Sequence, residues 1–250
     1  MLDKLLSQIE NTFPSSVVDV SQEIWDRNIP SLCTQISLFG DDAFAIAERF
    51  LSKRLFLESK REIITTQRAA FRIGEVRLRP RSDYYRKFGL PIPSPENPTG
   101  PHATGVKISL SFYRGITSNS AMSYPLCSIE FSIWGHRERI AFLELLKDHH
   151  RYVERLISRI DLQFNTACVF DNVERYKGRD VFKKLDLYAQ NEEDAENCFT
   201  ISGDFSSASS MHEIISTLLP LMVLYDASLG YCHGKNHKDR FFEYINILSK

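Results

Sequence analysis

Apolar and polar residues alternate most cleanly over 126–134, where Ile129, Phe131 and Ile133 take turns with Glu130 and Ser132. That is the period-two pattern of a strand with one face on a core. Gly135 closes the stretch. From His136 the period lengthens: Leu143, Leu146, Val153, Ile157 and Ile160 fall on one face, and Phe142, Leu145, Tyr152 and Leu156 on the adjacent line. Glu144, Lys147, Asp148, Arg151, Arg155 and Arg159 lie opposite. The whole of 126–160 therefore predicts a strand feeding one unbroken, one-sided helix laid across the dry face of a sheet.

The same order recurs along the chain. Residues 106–113 supply a partner strand for 126–134, and 162–170 and 181–188 read as two more strands before a helix starting near Met211. Near the N-terminus, 31–40 (SLCTQISLFG) precedes an apolar-periodic run over 43–55, much as 125–135 (PLCSIEFSIWG) precedes the central helix. Any strand entering a helix through glycine produces a similar local pattern. The expected fold is α/β (α+β), a mostly antiparallel sheet with repeated strand–strand–helix units and helices packed on one face.

The remaining segments fill in around that frame. Leu2, Leu5, Leu6 and Ile9 give a short amphipathic helix that needs a docking surface, and Trp25 reads as an anchor. Asp41 is a candidate cap for the helix near Ala43, whose apolar face continues toward Phe56 and Ile63, so its end is open between residues 55 and 66. The run 91–101 (PIPSPENPTGP) opposes both helix and sheet. It divides an N-terminal accessory lobe, 1–90, or part of one continuous domain, from a central sheet-and-helix domain, 104–250. Polar links are expected at 113–124 and 172–180, where loops between paired strands commonly carry binding residues. Ser210 and Glu213 have capping-box spacing, Pro220 predicts a kink or restart, 230–235 breaks the pattern again, and 240–248 predicts a terminal amphipathic helix.

Composition narrows the class. A chain of 250 residues with 43% hydrophobic residues builds a real core, as one large or two small domains. Five cysteines, at 33, 127, 168, 198 and 232, form no CxxC pair, which points to buried, reduced thiols and a cytoplasmic setting. The opening MLDKLLSQIE is charged where a signal peptide is apolar, and the apolar window 214–224 is too short to span a bilayer, so no membrane partner is expected. A formal net charge of −1 neither demands nor excludes nucleic acid, because a local patch acts alone.

Chemistry-bearing motifs are sparse. The chain has no phosphate-cradling glycine loop of the usual spacing, no GxSxG and no HExxH. Cys232, His233 and His237, with Asp239, come nearest to a ligand cluster, but Gly234 interrupts the helix they would need. His149 and His150 read as neutral imidazoles at a helix edge. Glu58-Ser59-Lys60 with Asp41 or Asp42 upstream resembles the loose acidic signature of restriction-type nucleases in those positions alone, without strand context around Glu58.

The largest local charge imbalance lies at 68–87. Arg68, Arg72, Arg77, Arg79, Arg81, Arg86 and Lys87 stand against Glu75 and Asp83, interleaved with Phe71, Ile73, Val76, Leu78, Tyr84 and Tyr85. Gly74 suggests a bulge that lets Arg77 and Arg79 share an exposed face, and Pro80 stops the strand. Guanidinium forks suit phosphate oxygens, and Tyr84, Tyr85 and Phe88 are placed to stack on bases. The expected function is a nonenzymatic nucleic-acid or phosphopolymer interaction protein that needs no cofactor or metal. Its binding residues are Arg72, Arg77, Arg79, Arg81, Tyr84, Tyr85, Arg86 and Lys87, and its partner is DNA or RNA. Two rival classes are a protein-interaction adaptor or homodimer with a structural charged face, and a metal-dependent nuclease.

Overall fold

The computed structural model describes residues 1–13, 21–51, 59–65, 72–80, 106–114, 125–133, 136–158, 160, 162–165, 179–190 and 199–232. Along the chain these form α1 (Leu2–Thr12), α2 (Gln22–Phe50), β1 (Ser59–Thr65), β2 (Arg72–Pro80), β3 (Val106–Tyr113) and β4 (Leu126–Ile133). They continue with α3 (His136–Ile157), β5 (Gln163–Asn165), α4 (Arg179–Gln190), β6 (Phe199–Phe205) and α5 (Met211–Cys232). The strands make one open sheet in the order β1-β2-β3-β4-β6-β5, antiparallel at every step.

Helix outweighs strand in the described residues, so the expected α/β (α+β) fold dominated by a sheet of repeated strand–strand–helix units does not hold. The reason lies in two runs whose short alternation conceals a helical period. From 31–40 onward, the buried residues Leu32, Ile36, Phe39, Ala43 and Ala47 recur at three- and four-residue steps, and the stretch is the middle of α2. In 181–188, Val181, Phe182, Leu185 and Tyr188 are buried with the same spacing and belong to α4. The N-terminal boundary shifts as well. Ser21, not Asp41, caps the helix, accepting a hydrogen bond from the Ile24 amide at 3.3 Å, and α2 ends at Phe50 before the strand Ser59–Thr65.

Strand alternation sorts the sheet into two faces. Val76, Leu78, Ile108, Leu110, Phe112, Ile129, Phe131, Ile133, Phe199, Ile201 and Phe205 are all buried. Helix α2 reaches this face through Phe39, whose ring meets Phe112 edge-on at 5.8 Å. Helix α3 sends Phe142 to within 6.0 Å of Phe131 and 5.1 Å of Phe199, while Tyr188 of α4 meets Phe199 at 5.2 Å.

At Gly40 helix α2 lies hard against Val76 of the sheet. A Cβ built there would lie 2.6 Å from both Cβ and Cγ2 of Val76, nearer than any real side chain sits. Glycine inside this helix is therefore a packing requirement, not a stop.

Helix α5 is the apolar centre of the fold. Its window Met211–Tyr231 has a mean hydropathy of 1.4, long and apolar enough to cross a membrane, and 89% of that window is buried against the rest of the chain. The capping box at its start is formed: Glu213 Oε2 accepts from the Ser210 amide at 2.6 Å and hydroxyl at 2.9 Å, and Ser210 Oγ accepts from the Glu213 amide at 3.2 Å. The helix runs on through Pro220 without the expected restart and ends at Cys232, inside the stretch 230–235 where a break is expected. Burial of Leu218, Leu221, Met222, Val223 and Leu224 around Pro220 offsets the one backbone bond that proline forfeits. By contrast α3, expected to be unbroken, bends at His149 (φ −129°, ψ 30°).

Helix α1 docks beside α2, with Phe13 and Trp25 rings 5.6 Å apart. Arg114, buried just past β3, donates from Nε to the Phe13 carbonyl at 2.7 Å and so ties the end of α1 to the sheet. The stretches 1–90 and 104–250 thus contribute to one sheet and one core cluster. The connection 91–101, the links at 115–124 and 172–178, and the segment 240–248 lie outside the described residues.

Candidate functional site: the polar face of the sheet

Register fixes what stands beside what on the second face of the sheet. One cross-strand row reads Glu62, Arg77, Ser109, Glu130, Ser202 and Gln163. The row toward the Thr65 end of β1 reads Ile64, Glu75, Ser111, Ser128 and Asp204. The row on the other side pairs Lys60 with Arg79, and Lys107 with Ser132 and Thr200. Along β2 the register slips between Arg72 and Gly74, a bulge that leaves regular pairing from Gly74 onward.

This face is polar but largely closed. Ser109, Ser111, Ser128, Ser132 and Ser202 are buried, and hydroxyls bond one another across it, Ser109 to Ser111 at 3.4 Å and Ser132 to Thr200 at 3.0 Å. Four charged side chains of β2, β3 and β4 gather in one cluster, with exposures of 3% for Glu75, 17% for Arg77, 18% for Lys107 and 13% for Glu130. Lys107 Nζ donates to Glu75 Oε2 at 2.9 Å and lies 3.9 Å from Glu130 Oε2. Arg77 Nε lies 3.7 Å from Glu75 Oε1, Ser111 Oγ donates to Glu75 Oε2 at 3.4 Å, and the Tyr113 hydroxyl donates to Glu130 Oε1.

An ionised carboxylate this far from water persists only when neighbours replace its hydration. Lys107 and Ser111 do so for Glu75 through hydrogen bonds, and Arg77 adds its charge at 3.7 Å. Below the cluster, on the apolar side, burial pushes the Cys127 thiol well above its usual range, with Asp204 and Glu130 adding to the effect. Cys127 is thus an inert core thiol in β4, whereas Cys33 lies half-buried in α2 with a thiol also raised by burial.

The basic segment divides at Pro80. Arg77 is half-buried beside Glu75 and not on an open face. Arg72 and Arg79 take their places in β2 by backbone register. Arg81, Tyr84, Tyr85, Arg86 and Lys87 lie outside the described residues. β2 ends and β3 begins at the same end of the sheet, where Lys60 and Lys107 are also found.

The other candidate residues scatter. Asp41 and Asp42 lie within α2 and Glu58 is outside the described residues, but Ser59 and Lys60 open β1, so the triplet does lead into a strand. His149 is buried in the bend of α3, edge-on to Tyr231 of α5 at 6.0 Å. His150 turns instead to α4, placing Nε2 3.2 Å from Asp186 Oδ1 and its ring against Phe182 at 4.7 Å. The two imidazoles therefore serve separate helix contacts. Close by, the Tyr231 hydroxyl donates to Asp148 at 3.3 Å, and its pKa is pushed up to about 12 by burial first and then by Asp148. Cys232 ends α5, and His233, His237 and Asp239 lie beyond the described residues. Among the described residues no group of three or more His, Cys, Asp or Glu side chains is placed to hold a metal ion.

Lys107, Glu130, Tyr113, Ser109 and Ser111 were not among the expected site residues. Their signal was the matched alternation in two neighbouring strands, VKISLSFY and LCSIEFSI, which puts a polar residue at every second position from Lys107 to Tyr113 and from Ser128 to Ser132. Comparisons with protein-family models, with characterised proteins and with solved structures return no match to this chain.

Proposed function

We propose that this protein is a nonenzymatic binding module for a phosphate polymer, with single-stranded nucleic acid the preferred class, held at the Pro80 end of the polar sheet face. The observation that carries the reading is the register of β1, β2 and β3. It sets Lys60 opposite Arg79 and places Arg77 and Lys107 in adjoining positions, four cations at the end from which the basic run continues through Arg81, Arg86 and Lys87. Cations on adjacent strands pair with phosphates in this reading, and their binding releases condensed counterions. Tyr84, Tyr85 and Phe88 follow in the same segment and supply rings for unpaired bases. The closed hydroxyl region around Ser109 and Ser111 is scaffold in this reading, not contact surface.

Fluorescence anisotropy with labelled single-stranded DNA, duplex DNA and RNA across a salt series tests it. The parent protein binds single strands at low salt, and chelating magnesium leaves the affinity unchanged. Replacing Arg77 and Arg79 together with alanine flattens the single-strand salt slope by about 1.4, from roughly 0.7 per lost phosphate contact. Tyr84→Ala weakens single-strand binding by about 1–3 kcal/mol and duplex binding less. Absence of binding to all three polymers at low salt, or equal slopes for parent and double variant, rejects the proposal.

A further inference from the structure

Glu75 is the anion held between Arg77 and Lys107. Its two carboxylate oxygens are divided between Lys107 Nζ, 2.9 Å from Oε2, and Arg77 Nε, 3.7 Å from Oε1, with the Ser111 hydroxyl 3.4 Å from Oε2. A guanidinium and an ammonium around one anion are also a pair that receives a phosphoryl group. The protein supplies that anion from its own β2 strand, two residues before Arg77. A tethered group competes at an effective concentration of roughly millimolar. Free phosphate or a mononucleotide meets that competition with a single anionic group.

We infer that Glu75 is the specificity-determining residue of this site: by holding Arg77 and Lys107 it rejects isolated phosphates and reserves the site for a polymer. The inference rests on the phosphate-polymer reading above. A strand that also contacts the row of Lys60 and Arg79 gathers several phosphate contacts at once and displaces the carboxylate, which a single phosphate does not. Lys107 stays placed during that exchange, because Glu130 Oε2 lies 3.9 Å from Nζ on its other side and is itself held by Tyr113. Arg77 and Lys107 each retain some exposure, 17% and 18%, against 3% for Glu75.

The test compares the parent, Glu75→Gln and Glu75→Asp, with a fluorescein-labelled single-stranded oligonucleotide as probe and adenosine monophosphate or inorganic phosphate as competitor. For the parent, millimolar competitor leaves the oligonucleotide bound. For Glu75→Gln the oligonucleotide binds about ten-fold more tightly, the scale of one gained charge-assisted contact, its salt slope steepens, and adenosine monophosphate now displaces it. Glu75→Asp keeps the charge but withdraws its reach by one methylene, so it falls between the two and decides the matter should Glu75→Gln prove unfolded by circular dichroism. Oligonucleotide affinity and competitor sensitivity unchanged from the parent in whichever variants are folded overturns the role of Glu75 while leaving polymer binding intact. If neither parent nor variants bind the oligonucleotide, the polymer reading itself fails.

Discussion

On the helix-covered face of the sheet, Phe131 sits among Phe142 and Phe199 with ring centroids 6.0 and 6.3 Å away. One residue earlier in the same strand, on the opposite face, Glu130 is fixed by the Tyr113 hydroxyl and faces Lys107. Both residues are well shielded from water, yet what holds them differs in kind. Dispersion and burial on the apolar face are non-directional and scale with the volume filled. The polar face depends on partners: each charge is tolerable because a particular other charge is there, and removing one is worse than removing both. The apolar face therefore reports on packing, and the polar face on pairing.

That contrast orders the expected effects of substitution. Phe131→Ala removes the ring shared by α3 and β6 and should cost about 3–5 kcal/mol in urea or guanidinium denaturation. A loss below about 1 kcal/mol would mean that the aromatic cluster does not anchor this face. Gly40→Ala fills space that is already taken and should cost about 1–3 kcal/mol through overpacking. Most of that loss should vanish in a Val76→Ala background, where the clashing methyl groups are gone. Equal losses in both backgrounds would show that the helix–sheet approach is not set by Val76.

On the polar face the expected losses are smaller, because the pairs keep some solvent. Lys107→Met leaves Glu75 and Glu130 without their shared ammonium and should cost about 1–2 kcal/mol, below the value for fully buried pairs because Lys107 retains 18% exposure. Combining it with Glu75→Gln should recover part of that cost, with a coupling of about 0.5–3 kcal/mol in the double-mutant cycle. Strict additivity would reduce the central cluster to independent surface charges, and the contrast between the faces would collapse.

Several elements follow from spacing alone. The alternation in 126–134 and the one-sided pattern after His136 correspond to β4 and α3, and the capping box at Ser210 marks the start of α5 within one residue. These are local signals, written in the side chains that form the element. Glycine and proline misled in the opposite way. Gly40 and Pro220 read as breaks because isolated helices pay for them, but here tertiary burial outweighs the local penalty. His149 carries no breaking signal, and yet α3 bends there, where its ring is packed between Tyr152 and Tyr231 of a distant helix.

By itself the sequence determined which residues are apolar at helical or strand period, where one helix is capped, and that positive charge is concentrated over 68–87. Those properties depend on neighbours a few residues away. Only the tertiary structure decided that 31–40 and 181–188 are helical, that β6 lies between β4 and β5, and that Arg77 lies beside Glu75 and Lys107 beside both glutamates. Charge is a property of a residue, but availability to a ligand is a property of its surroundings. Lys107 stands 32 positions from Glu75, and no spacing rule connects them; the antiparallel register of β2 and β3 does.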